Sequence, residues 1–388
     1  MERDIIRGPI KDMQPYSPPL EGRTKEGWQL RLDFNERTIP PHPLVKEAVG
    51  QYMGRGEFQV YPEYGDLEKV IANYIGIKPS EAIAVNGSDQ AIDIIYRLLV
   101  NEGEDVIVPA PTFAMLEQSA HVEGANIIAP RYKGENLDFP FDEVMATIKP
   151  DEIIPAEIKR FELKSGEIVT IQIKPEEIKP GTKLVVICNP NNPTGTILSK
   201  NKSEAIIRKA KEVGSAVLVD EAYSEFAPEL TVVDLIGKYD NLFITRSFSK
   251  VMGISGLRAG CVVSQEKNIK ELRKIRGPYD VNMAAAVAMR ALRHPEVVDD
   301  IKKYIAEVME VSKPMLEQFY RENNIKFYPS NAGFHLLQDN GLSEFLKSKG
   351  ILVRPRSDPK GTVRVSIGTR EDTRKYLEAF QEYLNSSK

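Results

Sequence analysis

Ser247-Phe248-Ser249-Lys250, continued by Val251-Met252-Gly253-Ile254-Ser255-Gly256-Leu257-Arg258, gathers several hydroxyls, one amine and one guanidinium in a short stretch. Residues 241–245 before it are mostly apolar and aromatic and read as a buried strand. A lysine just past the end of such a strand is poorly hydrated, which lowers its pKa. The neutral amine is a nucleophile that can form a Schiff base with a carbonyl. Ser247, Ser249 and Arg258 can together hold a phosphate beside it, by hydroxyl donors and a two-pronged guanidinium. An aldehyde and a phosphate on one small molecule describe pyridoxal 5′-phosphate (PLP). Taken alone, a Ser-x-Ser-Lys turn also fits a solvated loop with no chemistry.

Three other strand ends deliver polar groups. Residues 82–85 are an apolar strand, and Asn86-Gly87-Ser88-Asp89 follows it into a helix through Leu99. The free N–H groups and positive dipole end of that helix make an anion site, although Gly-Ser is also an ordinary cap. Residues 183–188 form an apolar strand leading into Asn189-Pro190-Asn191-Asn192-Pro193-Thr194-Gly195, where two X-Pro bonds stiffen the turn. Residues 216–219 deliver Asp220-Glu221-Ala222-Tyr223. A carboxylate at the C-terminal end of a parallel strand stands where α/β sheets bind ligands. No His or Cys cluster accompanies Asp220 and Glu221, so a metal is not expected.

The elements that must position these groups follow from the rest of the chain. Its 388 residues allow two domains, and 41% hydrophobic with 28% charged residues is ordinary for a globular protein. A net charge of −4 gives no reason to expect a nucleic-acid or membrane partner. No apolar run approaches the roughly 18 residues of a membrane span. The N-terminus is charged and proline-rich, without a signal-peptide core. Cys188 and Cys261 lie in apolar runs, so a disulfide is not expected and a cytoplasmic location fits. Residues 1–30 read as an arm over another surface, such as a partner subunit. Residues 43–54 and 66–77 read as helices, and 257–263 as a strand. Helical patterns dominate from 266 to 324, with one long stretch at 297–320. The remainder alternates: strands at 325–328, 333–337, 351–355 and 362–367, helices at 342–349 and 371–385. Residues 148–180 look like an insertion, with 161–164 and 168–174 pairing around Ser165-Gly166 as a surface hairpin.

With its flanking motifs, the lysine segment SFSKVMGISGLRAG resembles that of the fold-type I aminotransferases, in the branch that includes histidinol-phosphate aminotransferase. The resemblance runs from about residue 30 to the end, apart from the insertion. It implies an α/β fold: a large domain with a mostly parallel sheet plus a small α+β domain. The corresponding division is 1–45 as arm and part of the small domain, 46–278 as the large PLP-binding domain, and 279–388 as the small domain.

The resemblance also implies roles. Lys250 would carry PLP and move protons. Asp220 would face the pyridine nitrogen, and Asn192 and Tyr223 the 3′-oxygen. Gly87, Ser88, Asp89, Ser247, Ser249 and Arg258 would hold the phosphate, and Phe113 would stack on the ring. Tyr61, in Tyr61-Pro62-Glu63-Tyr64-Gly65, would cross a homodimer interface to the partner's phosphate. Asn35, Arg354 and Arg364 would meet the substrate, Arg354 serving donors with a second anion. By themselves, Phe113 could be core, Tyr61 a turn residue, and Arg354 a solvent-facing strand residue. The reaction implied is transfer of an amino group between an amino acid or amino-alcohol phosphate and a 2-oxo acid. A PLP decarboxylase resembling threonine-phosphate decarboxylase, or an aspartate or aromatic aminotransferase, is the alternative. Two departures bear on the substrate: Arg37-Thr38-Ile39 lacks the aromatic found there in relatives, and Ser330-Asn331-Ala332-Gly333-Phe334 separates asparagine from phenylalanine.

Overall fold

The strands that carry the candidate residues are short, mostly apolar, and paired in one sheet. The computed structural model describes residues 5–11, 13–23, 27–155, 157–162, 168–174 and 177–386. Its central sheet contains β1 (Ala82–Val85), β2 (Asp105–Ile107), β3 (Asn126–Ile128), β4 (Thr182–Cys188), β5 (Ala216–Asp220), β6 (Leu242–Ser247) and β7 (Gly260–Ser264). Their order is β1-β7-β6-β5-β4-β2-β3. β7 is antiparallel to both neighbours, and every other pair is parallel. Val185, Ile187, Val217 and Val219 pack on one face. Leu184, Val186 and Leu218 pack on the other. This alternation on a continuous apolar run is what a sheet buried on both sides requires.

Parallel strands in this register end together. Cys188 pairs with Asp220, and Asp220 with Thr245. The loops after β4, β5 and β6 therefore emerge side by side at one edge, where α/β sheets collect ligand groups.

A second, antiparallel sheet contains β8 (Phe327–Tyr328), β9 (Phe334–Gln338), β10 (Arg354–Arg356) and β11 (Thr362–Ser366), in the order β8-β9-β11-β10. Leu316, Tyr320, Tyr376 and Phe380, from the helices Lys313–Glu322 and Arg370–Ser386, close its core with Val363 and Val365. Leu30–Arg31 pairs in parallel with Ile351–Leu352, so a segment from the beginning of the chain belongs with this small α+β domain.

Local differences from the sequence reading have physical causes. The expected strand 351–355 divides, because Ile351–Leu352 pairs with Leu30–Arg31 and Arg354–Arg356 turns to β11. The expected helix 297–320 is helical throughout but contains a π-helical segment, Glu307–Ser312, between Pro295–Ala306 and Lys313–Glu322. Pro314 lies just past it and cannot donate to the regular ladder, so the turn before it widens. β7 begins only at Gly260, since Ser255–Leu257 is a tight helical turn and Arg258 is left-handed at φ 58°. The arm lies over the chain's own large domain, with Arg7 3.8 Å from Glu123. In the insertion, Glu157–Glu162 pairs with Ile168–Lys174, and Glu152–Ile154 with Glu177–Lys179. The Ser165-Gly166 turn lies outside the described residues. Among the described residues no helix is long and apolar enough to cross a membrane.

Candidate active site

A cleft of about 400 Å³ opens where the strand ends meet the small domain, and Lys250 lies on its wall. Lys250 Nζ donates to the Phe34 carbonyl at 3.1 Å and stands 5.6 Å from the centre of the Tyr223 ring. Burial first, and the Arg364 charge second, push its pKa down to about 8. About a tenth of the amine is then neutral at pH 7, against fewer than about one in a thousand for an ordinary lysine. Reductive capture of a small aldehyde at Lys250 in the cofactor-free protein should rise about tenfold from pH 7 to pH 9 and then level off. A rise of about a hundredfold over that interval would mean an ordinary lysine, and peptide mapping of the labelled amine decides between the two.

Three neighbouring strand ends build the next group. Asp220 accepts from Thr245 Oγ1 at 2.7 Å and from the Ala222 N–H at 3.2 Å, and Cys188 Sγ is 3.8 Å from its second oxygen. Burial nevertheless raises its pKa to about 6, although these donors pull the other way. A protonated ring nitrogen opposite it would favour the charged carboxylate. Tyr223 follows, its hydroxyl accepting from Asn35 Nδ2 at 3.0 Å, and burial pushes its pKa up to about 12. Asn35 is buried, bonded also to Ser366, and is not part of the cleft wall. Its amide holds the Tyr223 hydroxyl.

The proline-rich turn divides its labour among three asparagines. Asn189 closes the turn by bonding the Leu198 backbone in both directions, at 2.9 and 3.0 Å. Asn191 ties it to Pro111, Thr112 and Thr194. Asn192 is left to face the cleft, where its Oδ1 accepts from Arg364 Nη1 at 2.6 Å. Phe113 also lines the cleft.

One end of the cleft is formed by the first turn of the helix Gly87–Leu99, which has no side-chain cap. Ser88, Asp89, Ser247, Ser249 and Arg258 all line the cleft there. Arg258 Nη2 donates to Asp89 Oδ2 at 2.8 Å, so the Asp89 side chain anchors the arginine while its backbone N–H belongs to the open helix turn. Gly87 has φ +79°, and a Cβ there would meet Arg258 Nη2 at 2.5 Å. A larger residue would therefore displace the guanidinium from this end of the cleft.

β10 and β11 bring the arginines. Arg354 stands opposite Arg364. Arg364 is buried, donating to Asn192 Oδ1 and, at 2.6 Å, to the Asp33 carbonyl. Burial, with Arg356 and Arg354 adding repulsion, pushes its pKa down to about 10. Tyr61 is the candidate that lies far from this chain's cleft: it is 72% exposed and stacks on Tyr279 at 4.3 Å.

Several lining residues escaped the sequence reading. Tyr16 and Arg23 reach the cleft from the arm, and no local pattern announces them. Arg23 is held by Asp33 and Glu36 at 2.5 to 2.9 Å. Arg356 was legible in principle, since residues two apart on a strand share a face. Arg37 is buried. It pairs with Asp300 at 2.8 Å and donates to the Val251 carbonyl at 3.0 Å, tying the lysine loop to the helix Pro295–Ala306.

The residues present fit PLP. The cleft offers a neutralisable amine, a buried carboxylate for a ring nitrogen, a flat aromatic, and free N–H and hydroxyl donors for a phosphate. Among the described residues no group of His, Cys, Asp and Glu could hold a metal.

Comparisons with known proteins agree with this chemistry. The family model for aminotransferase class I and II matches residues 29–380. A histidinol-phosphate aminotransferase of Dehalococcoides mccartyi is 31% identical over 396 residues, which cover 98% of each chain. The fold is that of the histidinol-phosphate aminotransferase from Sinorhizobium meliloti, solved in complex with pyridoxal-5′-phosphate: TM-score 0.75, 19% identity, 93% of this chain and 92% of that one. The enzyme from Clostridium acetobutylicum superposes with TM-score 0.72 at 22% identity, covering 92% and 99%. The match begins at the first strand of the small domain, ends in the last helix and takes in the whole cleft lining except the arm residues before it, and the chain belongs to the class I and II aminotransferases, with PLP as its cofactor.

Proposed function

We propose that this aminotransferase draws its amino group from a small amine that bears a phosphate, histidinol phosphate being the leading candidate, and passes it to a 2-oxo acid. The observation that carries the reading is the facing pair Arg354 and Arg364. Both line the cleft, and neither has a carboxylate partner among the described residues. Cations left unpaired in a partly desolvated wall are suited to an anionic ligand. The 31% identity to a histidinol-phosphate aminotransferase supports the same donor.

When bound, PLP supplies an aldehyde that condenses with an amine and a ring that withdraws charge from the donor's α-carbon. The chain's own groups do the rest. Lys250 Nζ takes the proton from the donor's α-carbon and returns it at the far end of the transfer, as general base and then acid. Asp220 would keep a proton on the ring nitrogen. Asn192 and Tyr223 would hold the phenolic oxygen, and Phe113 would stack on the ring. The first-turn N–H groups of Ser88 and Asp89, with Ser247, Ser249 and Arg258, would hold the cofactor phosphate. Arg364 grips an anionic group of each substrate in turn, and Arg354 adds charge for the donor phosphate.

We read the chain as dividing near residues 45 and 278 into the arm, the large domain and the small domain. We also read it as a cytoplasmic homodimer. Cys188 and Cys261 are free and buried, which suits a reducing compartment. Phe58, Val60 and Tyr61 are each more than half exposed, an apolar patch that a second copy would cover and from which Tyr61 could reach the partner's cleft.

Steady-state rates with 2-oxoglutarate as acceptor test the donor. The phosphate-bearing amino alcohol should exceed its phosphate-free form by about 10²-fold in kcat/KM, the effect of one well-made charged pair. Equal values, or a clear preference for aspartate or an aromatic amino acid, overturn the phosphate reading. Carbon dioxide release without amino transfer would favour the decarboxylase.

A further inference from the structure

Three guanidinium groups, not two, crowd one face of the small domain's sheet. Arg354 and Arg356 are alternate residues of β10 and share a face, while Pro355 between them is exposed. Arg364 sits directly across from Arg354 on β11, and Arg356 is across from Thr362. All three arginines line the cleft. Like charges opposed across strands repel, and such an arrangement needs a compensating anion.

Among the described residues the protein does not supply that anion. The neighbouring carboxylates are taken: Asp33 and Glu36 by Arg23, and Asp358 by Arg131 at 2.7 Å. Among the described residues Arg356 has no hydrogen-bond or ion-pair partner, and its Nε is buried without one. Arg354 is the same apart from lying 5.2 Å over the Phe34 ring, with a buried, unpartnered Nη1. Burial, reinforced by Arg354, lowers the Arg356 pKa below the usual arginine value, as expected of a cation desolvated without a counter-charge.

We propose that Arg356 is a specificity-determining residue: together with Arg354 it binds the donor's phosphate and selects the doubly charged form. The inference rests on the phosphate-bearing donor proposed above. Arg364 meets the anionic group of each substrate in turn: the carboxylate of the 2-oxo acid and, on a donor without a carboxylate, the phosphate itself. The two β10 arginines add two positive charges, which match a phosphate monoester above its second pKa of about 6. The wall should therefore discriminate between a dianion and a monoanion.

The test uses the PLP-loaded enzyme, its Arg356→Leu and Arg356→Lys variants, and the phosphate-bearing and phosphate-free donors. Arg356→Leu should lower the preference for the phosphate donor about tenfold, mainly through KM, and Arg356→Lys should recover part of it. Inorganic phosphate, used as a competitive inhibitor, should weaken about tenfold in Arg356→Leu. In the wild type, KM for the phosphate donor should fall as pH rises through about 6, because the dianion forms above that pH, and Arg356→Leu should flatten this dependence. If the wild type prefers the phosphate donor and Arg356→Leu keeps that preference, or shifts both donors equally, the role given to Arg356 is wrong while the donor reading stands. If the wild type shows no preference, both fall together.

Discussion

Lys250→Ala should lower kcat by about three to four orders of magnitude with every donor, the upper range for loss of a positioned acid–base group. Among the described residues Lys250 is the only amine on the cleft wall, and its neighbours cannot substitute for it. Asp220 sits behind its donors from Thr245 and Ala222, and Tyr223 is held in its neutral form by burial. The guanidiniums are poor bases. Because the proton shift occurs only in the transition state, kcat and kcat/KM should fall together. A residual rate within tenfold of the wild type would place the proton carrier elsewhere.

Arg364→Lys should lower kcat/KM by about 10²-fold for donors and acceptors alike. Losing a desolvated charge pair costs about 2–5 kcal/mol, and lysine keeps the charge but not the fork. The fork also has structural duties. Its two ends hold Asn192 Oδ1 and the Asp33 carbonyl, joining the small domain to the asparagine turn of the large one. A single ammonium can keep one of these contacts and still lack a second prong for the substrate. Stopped-flow measurement of each half-reaction checks the prediction. A loss confined to the donor would mean that Arg364 does not grip the 2-oxo acid.

The sequence made the large domain legible because its strands are continuous apolar runs, each followed by a polar turn. In β4, β5 and β6 the last residues fix which groups reach the sheet edge, so Asn192, Asp220, Tyr223 and Lys250 could be named from local patterns and resemblance. Contacts between distant segments were not legible in this way. Asn35 is far from Tyr223 in the chain, and only the fold shows that its amide is used to hold that hydroxyl. Tyr16 and Arg23 come from an arm with no periodicity, so nothing local could place them in the cleft. Arg356 was hidden for another reason. The resemblance drew attention to Arg354 and Arg364, and the strand alternation that sets a third guanidinium beside them went unread. The widened turn before Pro314 shows the same limit: the helical period is visible, but the break in its ladder depends on one missing N–H.

The central claim is that Lys250 is the amine that carries the cofactor. Borohydride reduction of the PLP-loaded protein, followed by proteolysis and mass mapping, tests it most directly. One phosphopyridoxyl group per chain is expected, on the peptide that contains Ser249-Lys250-Val251. A stoichiometric label on any other lysine would contradict it.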